Sequence, residues 1–219
     1  MKTLTGLLCD LDGTLADTEP LHCAAWIDML REDHGLTYDV PWFDQWIGTS
    51  DRVVADYVIG KHGLAVSVDE LIGAKQRRFH GLVRERGRGF AGADEQLARL
   101  SRDFPLAIAT NSGRADADVV VPALGLDRFT SVVVTATDVE NLKPAPDIYR
   151  LAARRLALDP AHCIAIEDST PGGASAKAAG CYLIGLNDGV SMADETVTDN
   201  AEALARAYAL LHRSKHGGA

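Results

Sequence analysis

The sequence predicts an α/β fold, a doubly wound parallel sheet with an inserted α-helical segment. Five short apolar runs each stop at polar residues, which is typical of buried parallel strands. Helical stretches alternate with these runs, and this alternation indicates helices on both faces of one sheet. A long segment after the first run contains no strand pattern, which indicates a helical insertion.

The apolar runs place five strands at residues 4–9, 106–109, 131–134, 163–166 and 182–186. Helices are predicted between and after them at residues 93–102, 116–124, 146–156, 173–179 and 200–212. The strand–helix alternation therefore assigns residues 1–16 and 87–219 to one core domain.

The insertion covers residues 17–86, and three helices are predicted in it, at residues 21–31, 51–62 and 67–86. The third begins with Ser67 and Glu70, the spacing of a capping box, in which each residue satisfies a backbone N–H of the other. The tryptophans Trp26, Trp42 and Trp46 are expected in the interior of this helical domain, because aromatic side chains mostly fill such bundles.

Composition excludes several classes of protein. The 219 residues carry a formal charge of −9, so a nucleic-acid partner is not expected. Asp10 and Asp12 interrupt the N-terminal apolar run, so we predict no signal peptide. No apolar stretch approaches the length of a membrane span, so we predict no membrane partner. The four cysteines show no paired spacing, which favours a reducing compartment. We expect a monomeric protein of the cytoplasm.

Polar residues capable of chemistry follow the predicted strands. Since ligands bind at the carboxyl ends of strands in an open parallel sheet, these residues should share one crevice. Neighbouring carboxylates repel each other unless a cation or a shared proton intervenes, and a site rich in carboxylate oxygens suits Mg²⁺. The crevice is expected to contain Asp10, Asp12, Thr110, Asn111, Ser112, Lys143, Glu167 and Asp168.

Four segments resemble the four sequence motifs of the haloacid dehalogenase superfamily. They are DLDGTL at 10–15, ATNS at 109–112, KPAPD at 143–147 and IEDS at 166–169. Their order and spacing also fit, and the insertion resembles the helical cap of that superfamily. The nearest subgroup is the β-phosphoglucomutase-like phosphatases. The resemblance implies a Rossmann-like core and a Mg²⁺-dependent phosphatase acting on a small phosphorylated metabolite, such as a sugar phosphate.

The resemblance also implies a role for each motif. Asp10 would attack phosphorus and form an aspartyl phosphate, and Asp12 would act as general acid and then general base. Lys143, the Thr110 hydroxyl and the residues Asn111 and Ser112 would bind the phosphoryl group. The metal would be held by the side chains of Asp10 and Asp168, by the Asp12 carbonyl, and by Glu167 directly or through water. Asn111 and Ser112 are also candidates to cap the next helix.

The insertion offers four candidate substrate residues, Glu19, His22, Arg52 and Lys75. Three of them have a plain structural alternative: a lone histidine such as His22 is more often structural, and solvation at the surface is the default for Arg52 and Lys75.

Two alternative functions stay open. A phosphomutase would need an arginine directly after Ser50 in segment 48–52, whose sequence is GTSDR, and here Asp51 intervenes. Its negative charge is expected to repel a second phosphate. A non-enzymatic receiver-like module also uses an aspartyl phosphate, but its phosphorylated aspartate ends a middle strand. Dehalogenation is disfavoured, because Asp12, Glu167 and Asp168 are all present.

Overall fold

The computed structural model describes residues 3–46 and 49–216. The chain separates into two compact units, which we call the core unit (Met1–Asp17 and Arg88–Ala219) and the insertion unit (Thr18–Gly87). We propose that these units are the two domains expected from the sequence.

The core unit contains a six-stranded parallel sheet with the order β3-β2-β1-β4-β5-β6. This order places β1 at the centre, where the winding of the chain reverses. The strands are β1 (Gly6–Cys9), β2 (Leu106–Ala109), β3 (Val133–Val134), β4 (Cys163–Glu167), β5 (Tyr182–Gly185) and β6 (Glu195–Thr196). The sixth strand was not predicted, because its two polar residues form no apolar run.

The insertion unit contains four helices in its described residues: α1 (Glu19–His34), α2 (Val40–Asp44), α3 (Asp51–His62) and α4 (Val68–Arg86). Three of them were predicted, and α2 was missed because one turn and a half gives too little periodicity. The predicted capping box is confirmed, since Ser67 accepts from the Glu70 N–H and Glu70 accepts from the Ser67 N–H.

The interior of the insertion unit is formed by apolar side chains of all four helices. Trp26 is fully buried in it, whereas Trp42 and Trp46 are partly buried and pack against it. The expected interior position is therefore confirmed for Trp26, whereas Trp42 and Trp46 lie at the edge of this interior.

Five helices complete the described part of the core unit: α5 (Ala93–Asp103), α6 (Arg114–Ala123), α7 (Asp147–Arg155), α8 (Thr170–Ala179) and α9 (Asn200–His216). Helix α7 packs on β1, β2 and β3, and α8 packs on α7, β4 and β5. Helix α9 packs on β4 and β5 and also contacts α5. Among the strands, β1, β2 and β4 are buried along their whole length. The predicted fold class is confirmed.

No helix in residues 3–46 and 49–216 combines the length and apolar character needed to cross a bilayer. The four cysteines, Cys9, Cys23, Cys163 and Cys181, are buried, and each is a free thiol.

Candidate active site

Strand register explains why the motif residues meet. Cys9, the last residue of β1, pairs with Ile108 on one side and with Ile166 on the other. The residues that follow, Asp10 and Glu167, therefore leave the sheet at the same level. The Asp10 N–H still donates to the carbonyl of Ile166 at 3.1 Å, which fixes the backbone of the predicted nucleophile.

Lys143 reaches this position from the loop before α7. Its Nζ donates to Oδ1 of Asp10 at 2.5 Å, to the carbonyl of Ala109 at 2.8 Å and to Oε1 of Glu167 at 2.6 Å. The lysine side chain is 3% exposed, so this is a buried ammonium between two carboxylates. Such a group survives burial only because it is paired and hydrogen-bonded.

Glu167 is fully buried at the end of β4. Besides Lys143, its Oε1 accepts from the Tyr149 hydroxyl at 2.7 Å, and its Oε2 accepts from the Ser169 hydroxyl at 3.1 Å. A Cβ at Gly172 would lie 2.0 Å from the carboxylate atoms of Glu167. The first turn of α8 can therefore carry only glycine at this place.

Asp168 faces the turn after β1. Gly13 has a φ of +80°, and a Cβ there would lie 2.0 Å from Oδ2 of Asp168. The glycine thus gives both the left-handed backbone of the turn and the space for the carboxylate. This contact brings the first and fourth motifs together.

Asp12 is held by the second motif. Its Oδ2 accepts from the Ser112 hydroxyl at 2.5 Å and from the Thr110 hydroxyl at 3.2 Å. The Ser112 N–H in turn donates to the Thr110 hydroxyl oxygen at 2.9 Å. Both hydroxyls that the sequence suggested for phosphate therefore contact the predicted general acid, and their phosphate-binding role stays a prediction.

Asn111 fastens the loop that carries Lys143. Its Oδ1 accepts from the Lys143 N–H at 3.0 Å, and its Nδ2 donates to the Lys143 carbonyl at 3.4 Å. The alternative that Asn111 and Ser112 cap the next helix is wrong. The N-cap of α6 is Gly113, and no side chain caps that end, because both residues are turned toward the site.

The charge balance of the site favours a bound cation. Burial raises the pKa of the Asp10 carboxyl well above its usual range, although Lys143 opposes this. Burial and the neighbouring Glu167 raise the pKa of Asp168 to about 7. Burial alone would lower the pKa of Lys143, but Asp10 and Glu167 outweigh it and raise that pKa. The three carboxylates of Asp10, Glu167 and Asp168 therefore outnumber the single positive charge of Lys143.

The donor set fits magnesium. Asp10, Glu167 and Asp168 each offer a carboxylate oxygen, and these oxygens lie within 4.8 Å of one another. Hard oxygen donors without histidine or cysteine are those that Mg²⁺ prefers. These three residues could therefore hold the predicted ion.

Two of the four substrate candidates meet inside the insertion unit. The Lys75 Nζ contacts Nδ1 of His22 at 2.7 Å and Oδ2 of Asp51 at 2.8 Å. Lys75 is fully buried, so its expected surface position is wrong. Burial and the Lys75 ammonium lower the pKa of His22 to about 3, so this imidazole is neutral and its Nδ1 accepts the bond.

Glu19 and Arg52 take other positions in the insertion unit. Glu19 is partly buried in the first turn of α1. Arg52 is exposed and pairs with Asp69 at 2.7 Å, which is the surface alternative. Of segment 48–52, Gly48 lies outside the described residues.

The argument that Asp51 repels a second phosphate is wrong in its premise. Its Oδ2 pairs with Lys75, and its Oδ1 accepts from Nε1 of Trp26 at 3.0 Å. The negative charge of Asp51 is therefore balanced within the insertion unit. The local sequence around Asp51 and Arg52 does not reveal this pairing.

Two polar residues near the motifs were missed. Tyr149 lies three residues after Pro146, and a tyrosine on the apolar face of a predicted helix is a signal, since a buried hydroxyl seeks a partner. Asn200, at the start of α9, donates through Nδ2 to the carbonyls of Thr14 at 2.8 Å and Gly13 at 3.2 Å. No sequence signal linked Asn200 to a turn so far away in the chain.

The core unit is a Rossmann-like parallel sheet whose central strand is followed by a buried aspartate, beside a lysine and further carboxylates. The model of the haloacid dehalogenase-like hydrolase family matches residues 7–186. The chain belongs to this family, as the four motifs predicted.

Two curated relatives and one solved structure show where in the family the chain lies. Fructose-1-phosphate phosphatase YqaB from Escherichia coli is 31% identical, over 80% of this chain and 92% of the relative. Validoxylamine A 7'-phosphate phosphatase from Streptomyces hygroscopicus is 34% identical, over 93% and 91%. A candidate β-phosphoglucomutase from Thermotoga maritima superimposes with a TM-score of 0.80 at 27% identity, covering 93% and 98%. The predicted enzyme class, a phosphoric monoester hydrolase, is confirmed.

Proposed function

We propose that this chain is a Mg²⁺-dependent phosphatase that hydrolyses a small phosphorylated metabolite, with Asp10 as nucleophile. The observation that carries the proposal is the buried contact between Asp10 and Lys143 beside the carboxylates of Glu167 and Asp168. An anionic ester can approach a carboxylate nucleophile only where positive charge offsets their repulsion, and this site concentrates the groups that provide it.

Asp10 would attack phosphorus through a carboxylate oxygen. An O–P bond forms to Asp10 while the P–O bond to the alcohol breaks, and the alcohol oxygen departs with the electron pair. Lys143 holds Oδ1 of Asp10, which fixes the orientation of the carboxylate before attack. The product of this half-reaction is an aspartyl phosphate.

Asp12 would move the protons of both half-reactions. It would first give a proton to the departing alcohol oxygen, and then take one from the water that attacks the aspartyl phosphate. Hydrolysis at phosphorus restores Asp10 and releases inorganic phosphate. The hydroxyls of Thr110 and Ser112 hold the carboxylate of Asp12 in place for this work.

Asp10, Glu167 and Asp168 would hold the magnesium ion. When bound, Mg²⁺ supplies positive charge that screens the phosphoryl oxygens from these carboxylates. Removal of the ion with EDTA is expected to abolish turnover and added Mg²⁺ to restore it, with Ca²⁺ a poor substitute because it prefers looser geometry. Full activity in chelator would contradict this assignment.

A sugar phosphate or a similar phosphomonoester is the proposed substrate class. The relatives named as phosphatases of fructose 1-phosphate and of validoxylamine A 7'-phosphate support it. The test is a panel of sugar phosphates, phosphoglycolate and nucleotides with Mg²⁺, scored by phosphate release. A receiver-like module would accept phosphate once and stop, so sustained turnover separates it from an enzyme.

Phosphomutase is the second candidate, and the balanced charge of Asp51 favours keeping it. The structural relative from Thermotoga maritima points the same way. The discriminating experiment is incubation with β-glucose 1-phosphate and a trace of glucose 1,6-bisphosphate. Release of inorganic phosphate supports the hydrolase, whereas faster accumulation of glucose 6-phosphate would replace it with the mutase.

A further inference from the structure

Tyr149 is a buried polar side chain of the core unit that the proposed mechanism does not use. It lies in the first turn of α7 and is fully buried. Its hydroxyl donates to Oε1 of Glu167 at 2.7 Å, and the Lys143 Nζ lies 5.1 Å from the centre of its ring. One side chain thus contacts both the glutamate and the lysine of the site.

The three hydrogens of the Lys143 ammonium are already engaged. They go to Oδ1 of Asp10, to the carbonyl of Ala109 and to Oε1 of Glu167. An ammonium has three donors and no more. A phosphoryl oxygen can therefore accept a hydrogen bond from Lys143 only if one of these three acceptors gives up its bond.

Of the two carboxylates that hold Lys143, Glu167 can release it at the smaller cost. Its Oε1 also accepts from Tyr149, and its Oε2 accepts from Ser169 at 3.1 Å. A buried carboxylate oxygen left without any donor is strongly destabilised, but this one keeps a donor when the lysine leaves. Asp10, by contrast, must stay oriented for attack.

We propose that Tyr149 is a positioning residue that shares Oε1 of Glu167 with Lys143, so that the ammonium can turn toward a phosphoryl oxygen while Glu167 stays in place. This inference rests on the proposed function, because it assumes that a phosphoryl group binds beside Lys143. It concerns the hydroxyl and not the ring, whose packing and contact with the ammonium are separate from the hydrogen bond.

Tyr149→Phe removes the hydroxyl and keeps the ring. With Mg²⁺ saturating, we expect the affinity for inorganic phosphate, measured by calorimetry, to fall about tenfold, because Lys143 must then leave Oε1 without a donor. The kcat on p-nitrophenyl phosphate should fall by a similar factor. The affinity for Mg²⁺ alone should change by less than about twofold, since Lys143 and Ser169 still hold Glu167.

Ser175→Ala is the matched control. The Ser175 hydroxyl is also buried in the core unit and donates to the carbonyl of Ala145, a neutral acceptor, at 2.6 Å. Its loss should lower the unfolding midpoint but leave phosphate affinity unchanged. If Tyr149→Phe behaves like Ser175→Ala, the inference is overturned.

The route through Glu167 has its own test. In a Glu167→Gln background, Tyr149→Phe should change phosphate affinity by less than about twofold, because residues acting as a unit are non-additive. A full tenfold loss in that background would overturn the inference. Phosphate binding also separates the two proposals: a wild type that hydrolyses no ester disproves the phosphatase, whereas phosphate affinity tests Tyr149 without turnover.

A second variant covers the case in which Tyr149→Phe does not fold. Replacement of Tyr149 alone by 3-fluorotyrosine keeps the hydrogen bond and makes the hydroxyl a stronger donor. Phosphate binding should then tighten, because Oε1 releases Lys143 more easily. Unchanged or weaker binding in the folded protein would count against the proposed role.

Discussion

The two units each bury a lysine, and the two lysines differ in the charge around them. Lys143 in the core unit lies between Asp10 and Glu167, with Asp168 close by. Lys75 in the insertion unit pairs with a single carboxylate, Asp51, and with the neutral His22. A balanced pair needs nothing further, whereas an excess of buried carboxylates needs a cation. Burial of an ion pair is therefore not by itself a sign of function.

The largest effect is expected for Asp10, the carboxylate that contacts the buried lysine of the core unit. Asp10→Asn should remove turnover, a loss of at least about 10⁴-fold in kcat, because the amide is not a nucleophile. The measurement is phosphate release from p-nitrophenyl phosphate by protein of native circular dichroism.

Asp17→Asn is the control for Asp10→Asn. Asp17 belongs to the same unit but pairs with Arg88 at the surface, so its loss should leave kcat unchanged. Near-normal activity of folded Asp10→Asn would contradict a catalytic role for the charge cluster around Lys143. The contrast between Lys143 and Lys75 would then no longer hold.

The next largest effect distinguishes the role of Asp12 from that of Asp10. Asp12→Asn should lower kcat by about 10²–10⁴-fold, the usual contribution of a general acid–base group. The loss should be larger for an alkyl phosphate than for an aryl phosphate, whose leaving group needs less protonation. Initial rates on both substrates check this, and equal losses would remove Asp12 from its acid role.

The balanced pair of the insertion unit should show its effect in stability. Asp51→Asn leaves the Lys75 ammonium buried without a counter-charge, and Asp51 is partly exposed, so we expect a loss of about 2 kcal/mol in free energy of unfolding. All three tryptophans, Trp26, Trp42 and Trp46, belong to this unit, so tryptophan fluorescence during denaturation reports on it.

The double variant Asp51→Leu with Lys75→Met tests whether that pair is only structural. Removing both charges should restore most of the stability, because a buried pair is often replaceable by apolar groups. If the folded double variant loses catalytic efficiency on every substrate, Lys75 has a role beyond balance, which would agree with its place among the substrate candidates.

The smallest effect is expected at an exposed pair of the same unit. Arg52 and Asp69 keep 61% and 83% of their side-chain surface exposed. Arg52→Ala should therefore change the free energy of unfolding by about 0.5 kcal/mol or less. A selective fall in kcat/KM without loss of stability would instead support the predicted contact of Arg52 with substrate.

Much of the fold could be predicted because its signals are local. Buried parallel strands are continuous apolar runs, and each helix of two turns or more shows its own periodicity. The elements that were missed, α2 and β6, have five and two residues. Their conformation depends on the residues that they pack against.

The sequence by itself determined the sheet, the helical insertion and the motif residues at the carboxyl ends of the strands, because each pattern lies within a few neighbouring residues. Only the tertiary structure decided how these charges are partnered. Glu167 meets Tyr149 across 18 positions, and Lys75 meets Asp51 across 24. The physical reason is that a buried charge is balanced by whatever group folding brings within hydrogen-bond distance, and separation along the chain carries no record of that distance.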